Sequence, residues 1–102
     1  MKSNELPVFV FSRASMKGDS DGIYVFTGSG ACAMTMGTGS TPQIFGIDTA
    51  GIRIIKNRGS ATVTVTANIF DAAAVASLAI TPGQGVVFVW DGTYWSTVGK
   101  AN

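Results

Sequence analysis

The chain predicts an all-β domain, a small antiparallel β-sandwich or barrel-like module, and three observations carry that expectation. Short β-branched and aromatic runs recur at roughly the 8–12-residue spacing of small sandwiches and barrels. Glycine-rich breaks separate them, with 13 Gly and 3 Pro in 102 residues. No segment sustains a 3.6-residue apolar period, and only residues 71–79 leave room for a helical turn.

The elements follow in order. Val8-Phe9-Val10-Phe11 reads as a strand inside an otherwise polar first twenty residues. Residues 1–20 are therefore expected to act as an N-terminal arm, ahead of a single domain over 21–102. Gly18 to Gly22 is a turn cluster. Ile23 to Thr27 is aromatic and β-branched, and Gly28-Ser29-Gly30 ends it. Ala31 to Met36 alternates, with Cys32, Met34 and Met36 on one face. Residues 37–42 form a loop, and Ile44-Phe45 with Ile47 a short extended piece. Ile52 to Lys56 is a strand closed by Asn57-Arg58-Gly59. Thr62, Thr64 and Thr66 alternate with Val63 and Val65, the pattern of a half-exposed strand. Asp71-Ala-Ala-Ala-Val-Ala-Ser-Leu-Ala79 is open between a helix capped by Asp71 and an irregular extended edge, with the edge favoured by the β signals on either side.

The stretch from Ile80 to Trp95 is the most informative. Val86, Phe88 and Trp90 alternate with Val87 and Val89, so both faces of this strand are apolar. Asp91-Gly92 predicts a type I′ hairpin turn, and Tyr94 and Trp95 follow it. A strand apolar on both faces needs cover on both. A chain this short has little material for that, so part of the cover is expected from another subunit.

Composition agrees. The chain is 46% apolar and 13% charged, with a net charge of +1. From Gly59 to Gly99 there is no Lys or Arg, and Asp71 and Asp91 are the only acids. Weak surface charge favours association. The seven basic residues are dispersed, which offers no footprint for nucleic acid. No apolar run approaches the length of a membrane-spanning helix, and no signal-peptide pattern follows Met1, so synthesis in the cytoplasm is expected. One cysteine, Cys32, excludes an intrachain disulfide and reads as a small buried hydrophobe.

Catalytic chemistry has little to work with. Histidine is absent, which removes the usual general base and metal ligand. Gly18-Asp-Ser-Asp-Gly22 fits a nucleophile-elbow pattern, but it lacks a preceding strand, a following helix and a base. Asp19 and Asp21 alone do not make a calcium loop. Gly28-Ser-Gly30 with Ala33 fits a relaxed dinucleotide fingerprint without the helix that must follow it. Trp90, Tyr94 and Trp95 suit structural packing better than sugar contact. The expectation is a non-enzymatic protein with no cofactor and no metal site.

Several of these residues together resemble a known pattern. Ile52-x-Ile-Ile-x-Asn57-x-Gly59-x-x-Thr62-Val-Thr-Val65 is followed by Leu78-x-Ile80-x-Pro82-Gly83-Gln84 and Val87-x-Val89-x-Asp91-Gly92-x-x-Trp95. The set is similar to a small β module of tailed-bacteriophage virion proteins, found in tail fibres and other exterior parts, usually as homotrimers. The resemblance spans Ile52 to Val98; it departs at Ile69-Phe70-Asp71-Ala72 and the alanine-rich insert that follows.

The resemblance implies a virion structural protein, specifically a capsid decoration or cement protein bound to the major capsid protein, or another virion protein, as a homotrimer. The alternative it implies is a tail-fibre or baseplate module that contacts a host receptor or glycan. On the first reading Leu6, Val8, Phe9 and Phe11 dock the arm on the shell. Val86, Phe88, Trp90, Tyr94 and Trp95 then form the trimer core. Neither reading involves nucleic acid or a membrane.

Overall fold

The computed structural model describes residues 6–37, 43–44, 47–48 and 51–102. Eleven strands and no helix occur among them: β1 (Val8–Phe11), β2 (Ser15–Lys17), β3 (Gly22–Phe26), β4 (Cys32–Thr35), β5 (Gln43–Ile44), β6 (Ile47–Asp48), β7 (Ile52–Asn57), β8 (Val63–Asp71), β9 (Ala73–Ile80), β10 (Gly85–Trp90) and β11 (Trp95–Ala101). Nine of them form one sheet in the order β1-β3-β7-β10-β11-β8-β4-β2, with β9 on the far side of β8. β5 and β6 pair only with each other.

The chain alternates between two halves of this sheet. β1, β3 and β7 lie side by side in parallel, and so do β2, β4 and β8. Each crossover between parallel neighbours is thus a strand of the other half, where a helix would usually serve. Antiparallel pairs β7–β10, β10–β11 and β8–β9 finish the sheet, and a short parallel contact joins β11 to β8. The barrel-like all-β expectation holds, but the pairing is mixed rather than antiparallel. Composition reports strands; it does not report which distant strand each one meets.

Connectivity forces the curvature. β1 and β2 are the two ends of the sheet path, yet only residues 12–14 separate them. Four residue steps reach at most about 14 Å. β8 carries β9 along one edge and shares the other, with β4 on residues 63–66 and β11 on residues 69–70, so the path from β11 through β8 to β4 folds back on itself. The sheet must curl into a nearly closed barrel, which places one face inside.

Every second residue fills that interior. Phe11, Tyr24, Phe26, Met34, Ile55, Val63, Val65, Phe88 and Trp95 are all buried. Phe11 packs on Phe26 with ring centroids at 5.4 Å, and Phe9 stacks on Tyr24 at 4.9 Å. Each such side chain contributes about 1.5–3 kcal/mol. Residues 8–11 and 15–17, within the segment expected to act as an arm, form strands of the sheet, 8–11 as their sequence predicts, and their inward apolar side chains pack in this core. The first five residues of that arm lie outside the described residues, as do 38–42 of the expected loop.

The turns explain much of the recurrent sequence pattern. Pro82-Gly83 forms a type II turn: Gln84 N donates to Thr81 O at 3.0 Å, and Gly83 takes φ 89°. After Trp90 the tip is Gly92-Thr93, not Asp91-Gly92. Gly92 alone has positive φ, at 100°, which is the sign pattern of a type II′ turn. Asp91 is spent as a cap, accepting from Thr93 N at 2.9 Å and Tyr94 N at 2.7 Å. That hydrogen bonding displaces the turn by one residue from the type I′ expectation. The open segment 71–79 resolves as extended: β9 is a regular edge strand, entered through Ala72 at φ 62°.

Candidate interaction surface

β7 has its polarity reversed. Its inward residues are Arg53, Ile55 and Asn57, all buried, while Ile52 and Ile54 point outward and are only half-buried. A strand facing water would carry these residues the other way round.

Both inward polar side chains are held firmly. Asn57 Nδ2 donates to Ala61 O at 2.7 Å and Ile80 O at 2.8 Å, and its Oδ1 accepts from Gly59 N at 2.9 Å. Gly59 is required there, because a Cβ would collide with Gly28 O. Arg53 stacks its guanidinium 4.5 Å from the centre of the Trp95 ring. It donates to Gly18 O, and to Asp19 O at 3.1 Å, with Asp21 Oδ1 3.6 Å from Nε. The Gly18–Gly22 turn is thereby pinned around a guanidinium. Among the described residues no three His, Cys, Asp or Glu side chains gather as metal ligands.

The outward residues line up across four strands. Val8 pairs with Ile23, Ile23 with Ile54, and Ile54 with Val87. The next row runs Val10, Val25, Lys56 and Gly85, and Ile52 meets Val89 on the other side. Eight of these are Val or Ile. Val8 and Val10 are 59% and 65% exposed; the six others are half-buried. The one charge, Lys56, turns its Nζ away to Gly83 O at 2.7 Å. A contiguous apolar row of this kind is a candidate interaction surface.

The opposite half looks different. The outward residues of β2, β4 and β8 include Ser15, Lys17, Ala33, Thr35, Thr64 and Thr66, all exposed. The alternating threonine row therefore faces solvent, as its period predicts.

The candidate residues distribute unevenly over these surfaces. Val86, Phe88 and Trp95 are fully buried in the chain's own core. Trp90 packs partly against that core, 5.4 Å from Trp95. Trp95 Nε1 also donates to Gly37 O at 2.8 Å. Tyr94 is half-buried in an edge contact with Phe70 at 5.5 Å. Of the expected docking residues, Phe9 and Phe11 point inward, whereas Leu6 and Val8 are exposed. Sequence alternation marked β10 as doubly apolar but not which face stays uncovered, and it gave no warning of Arg53 and Asn57. The signal for these was the order Ile-Arg-Ile-Ile-Lys-Asn itself, once a neighbouring strand fixes which positions face in.

Among the described residues three ionisable groups are perturbed. The carboxyl of Asp71 is lowered by hydrogen bonds from Lys100 at 3.0 Å and Thr97 at 2.8 Å. Asp91 is lowered by Tyr94 N, Ser96 and Thr93 N. Burial pushes the Cys32 thiol up, which makes it a poor nucleophile. None of these groups gathers with others into catalytic geometry. Comparison with known families, curated proteins and solved structures finds no match.

Proposed function

We propose that this chain is a non-enzymatic bacteriophage virion structural protein, a capsid decoration or cement protein that binds the outer shell as a homotrimer. The reading rests on the resemblance of residues 52–98 and on one structural observation: β7 sends Ile52 and Ile54 outward and Arg53 and Asn57 inward. That reversal supports an outer face made for protein rather than water. Three copies of the face around a threefold axis would bury the Val and Ile rows in a shared core. Leu6 and Val8, at the exposed border of the face, would then contact the major capsid protein. β1 pairs only β3 among the described strands, so its other edge is open to an added strand. The mechanism is apolar burial plus strand-edge pairing, without catalysis or cofactor.

The tail-fibre or baseplate alternative, with a receptor or glycan as partner, draws on a separate observation. Phe70 is 42% exposed and meets the Tyr94 ring near two hairpin tips, where an aromatic pair can stack on a sugar.

Binding to shells of the major capsid protein separates the two. Cement predicts saturable binding that Leu6→Asp with Val8→Asp abolishes and Phe70→Ala leaves intact. Failure to bind any shell, with glycan binding lost in Phe70→Ala, would replace the first reading by the second.

A further inference from the structure

The polar half of the barrel holds an open groove of about 600 Å³ on β2 and β4, lined by Arg13, Ser15, Met16, Lys17, Ala33 and Thr35. All but Met16 are exposed. Parallel pairing sets Ser15 beside Ala33 and Lys17 beside Thr35, with the strands about 4.8 Å apart. Arg13, Ser15 and Lys17 are alternate residues, so Ser15 lies between the two cations. Of the six described Lys and Arg residues, three are engaged within the fold. Arg53 stacks on Trp95 and donates to two carbonyls, Lys56 donates to Gly83 O, and Lys100 pairs with Asp71. Two of the other three, Arg13 and Lys17, share this groove. Residues 12–18, 31–37 and 62–68, which carry β2, β4 and the part of β8 beside them, contain no Asp or Glu. Two like charges therefore stand together with no acid to offset them, and the groove attracts an anion.

The donor set defines the ligand. Arg and Lys only donate, and the Ser15 and Thr35 hydroxyls can donate as well, so a matched ligand offers acceptors alone. Two positive charges are balanced by a dianion, whereas a carboxylate or a phosphodiester leaves one over. No aromatic ring lines the groove, so a neutral sugar or a base finds no stacking platform. A phosphate group meets both conditions: its oxygens accept, and it carries a charge of about −1.5 to −2 near neutral pH. We propose that this groove binds a phosphate group, as the free ion or as a monoester. Arg13 and Lys17 supply the charged donors, and Ser15 and Thr35 the hydroxyl donors. The site lies on the opposite half from the Val and Ile face and does not depend on the virion reading.

Titration of inorganic phosphate into the full chain at constant ionic strength, followed by backbone amide NMR, tests it. The expected result is saturable shifts centred on Ser15, Lys17, Ala33 and Thr35. Arg13→Gln/Lys17→Gln should weaken binding about tenfold or more, and Arg58→Gln should leave it unchanged. Glycerol phosphate identifies the source: tighter binding than inorganic phosphate assigns a phosphorylated molecule, and equal or weaker binding assigns the free ion. Four results overturn the site: no saturable shifts with either probe, shifts centred away from the groove, undiminished binding in the double variant, or dimethyl phosphate, a monoanion, bound as tightly as phosphate. The wild-type shift map decides the matter for a variant that does not fold. The titration does not measure assembly, so its failure leaves the trimer reading to its own test.

Discussion

The two halves of the barrel present opposite outer faces to the surroundings. β1, β3, β7 and β10 turn eight Val and Ile residues outward, while β2, β4 and β8 turn out Ser, Thr, Lys, Ala and Asn, with Phe70 the one large apolar residue at the end of β8. Both halves bury the same kind of inward side chain, Phe26 and Phe88 on one and Met34 and Val65 on the other. Folding alone therefore accounts for the inner faces. It leaves the apolar outer half unexplained, because solvent would select there for what the threonine face already shows. The difference argues that the two outer faces answer to different neighbours.

Breaking the inner face should cost the most. Phe88→Ala empties a fully buried ring site and should lower unfolding free energy by about 3–5 kcal/mol in urea titration. Asn57→Ala comes next. It strands Ala61 O, Ile80 O and Gly59 N, and the expected loss is about 2–4 kcal/mol by the same measurement.

The outer faces should separate association from stability. Val87→Lys/Val89→Lys should shift folding stability by less than about 1 kcal/mol, since the lysine stems lie along the sheet with their ammonium groups in water. The same change should abolish assembly. Thr64→Lys/Thr66→Lys, on the polar face, should change neither by more than about 0.5 kcal/mol.

Smaller effects lie at the turns. Ala72 adopts φ 62°, so Ala72→Gly should raise stability by about 0.5–1 kcal/mol in thermal melts, through relief of left-handed strain. Asp71 and Asp91 have lowered carboxyl pKa values in the fold. Their stabilisation is complete above the ordinary carboxylate range near about pH 4 and fades as pH falls through the lower, folded values. Melts taken from neutral toward acid pH should stay level and then decline, and Asp91→Asn should flatten that decline.

How much of this was legible in the chain differs by element. The threonine–valine alternation of 62–66 and the turns at Pro82-Gly83 and Asp91-Gly92 are local signals, and local structure followed them with a one-residue shift at Asp91. The double apolarity of residues 86–90 was equally plain. Which of its faces stayed open was not, because that depends on β7 and β3 extending and curling the sheet from distant sequence. The interleaved parallel order is hidden for the same reason. Arg53 was misleading in isolation, since a charged residue in a strand ordinarily reads as solvent-facing, and Asn57 read as part of the closing turn although β7 runs through it. Their burial emerges only when Trp95 and the carbonyls of Gly18, Ala61 and Ile80 close around them.

The central claim is that the Val and Ile face is an interface. Sedimentation equilibrium at micromolar concentration, on wild type, Val87→Lys/Val89→Lys and Thr64→Lys/Thr66→Lys, tests it most directly. The account predicts that wild type and the threonine variant assemble through threefold contacts and that the valine variant loses them while remaining folded. A wild-type monomer, or a valine variant that assembles as wild type does, would contradict it.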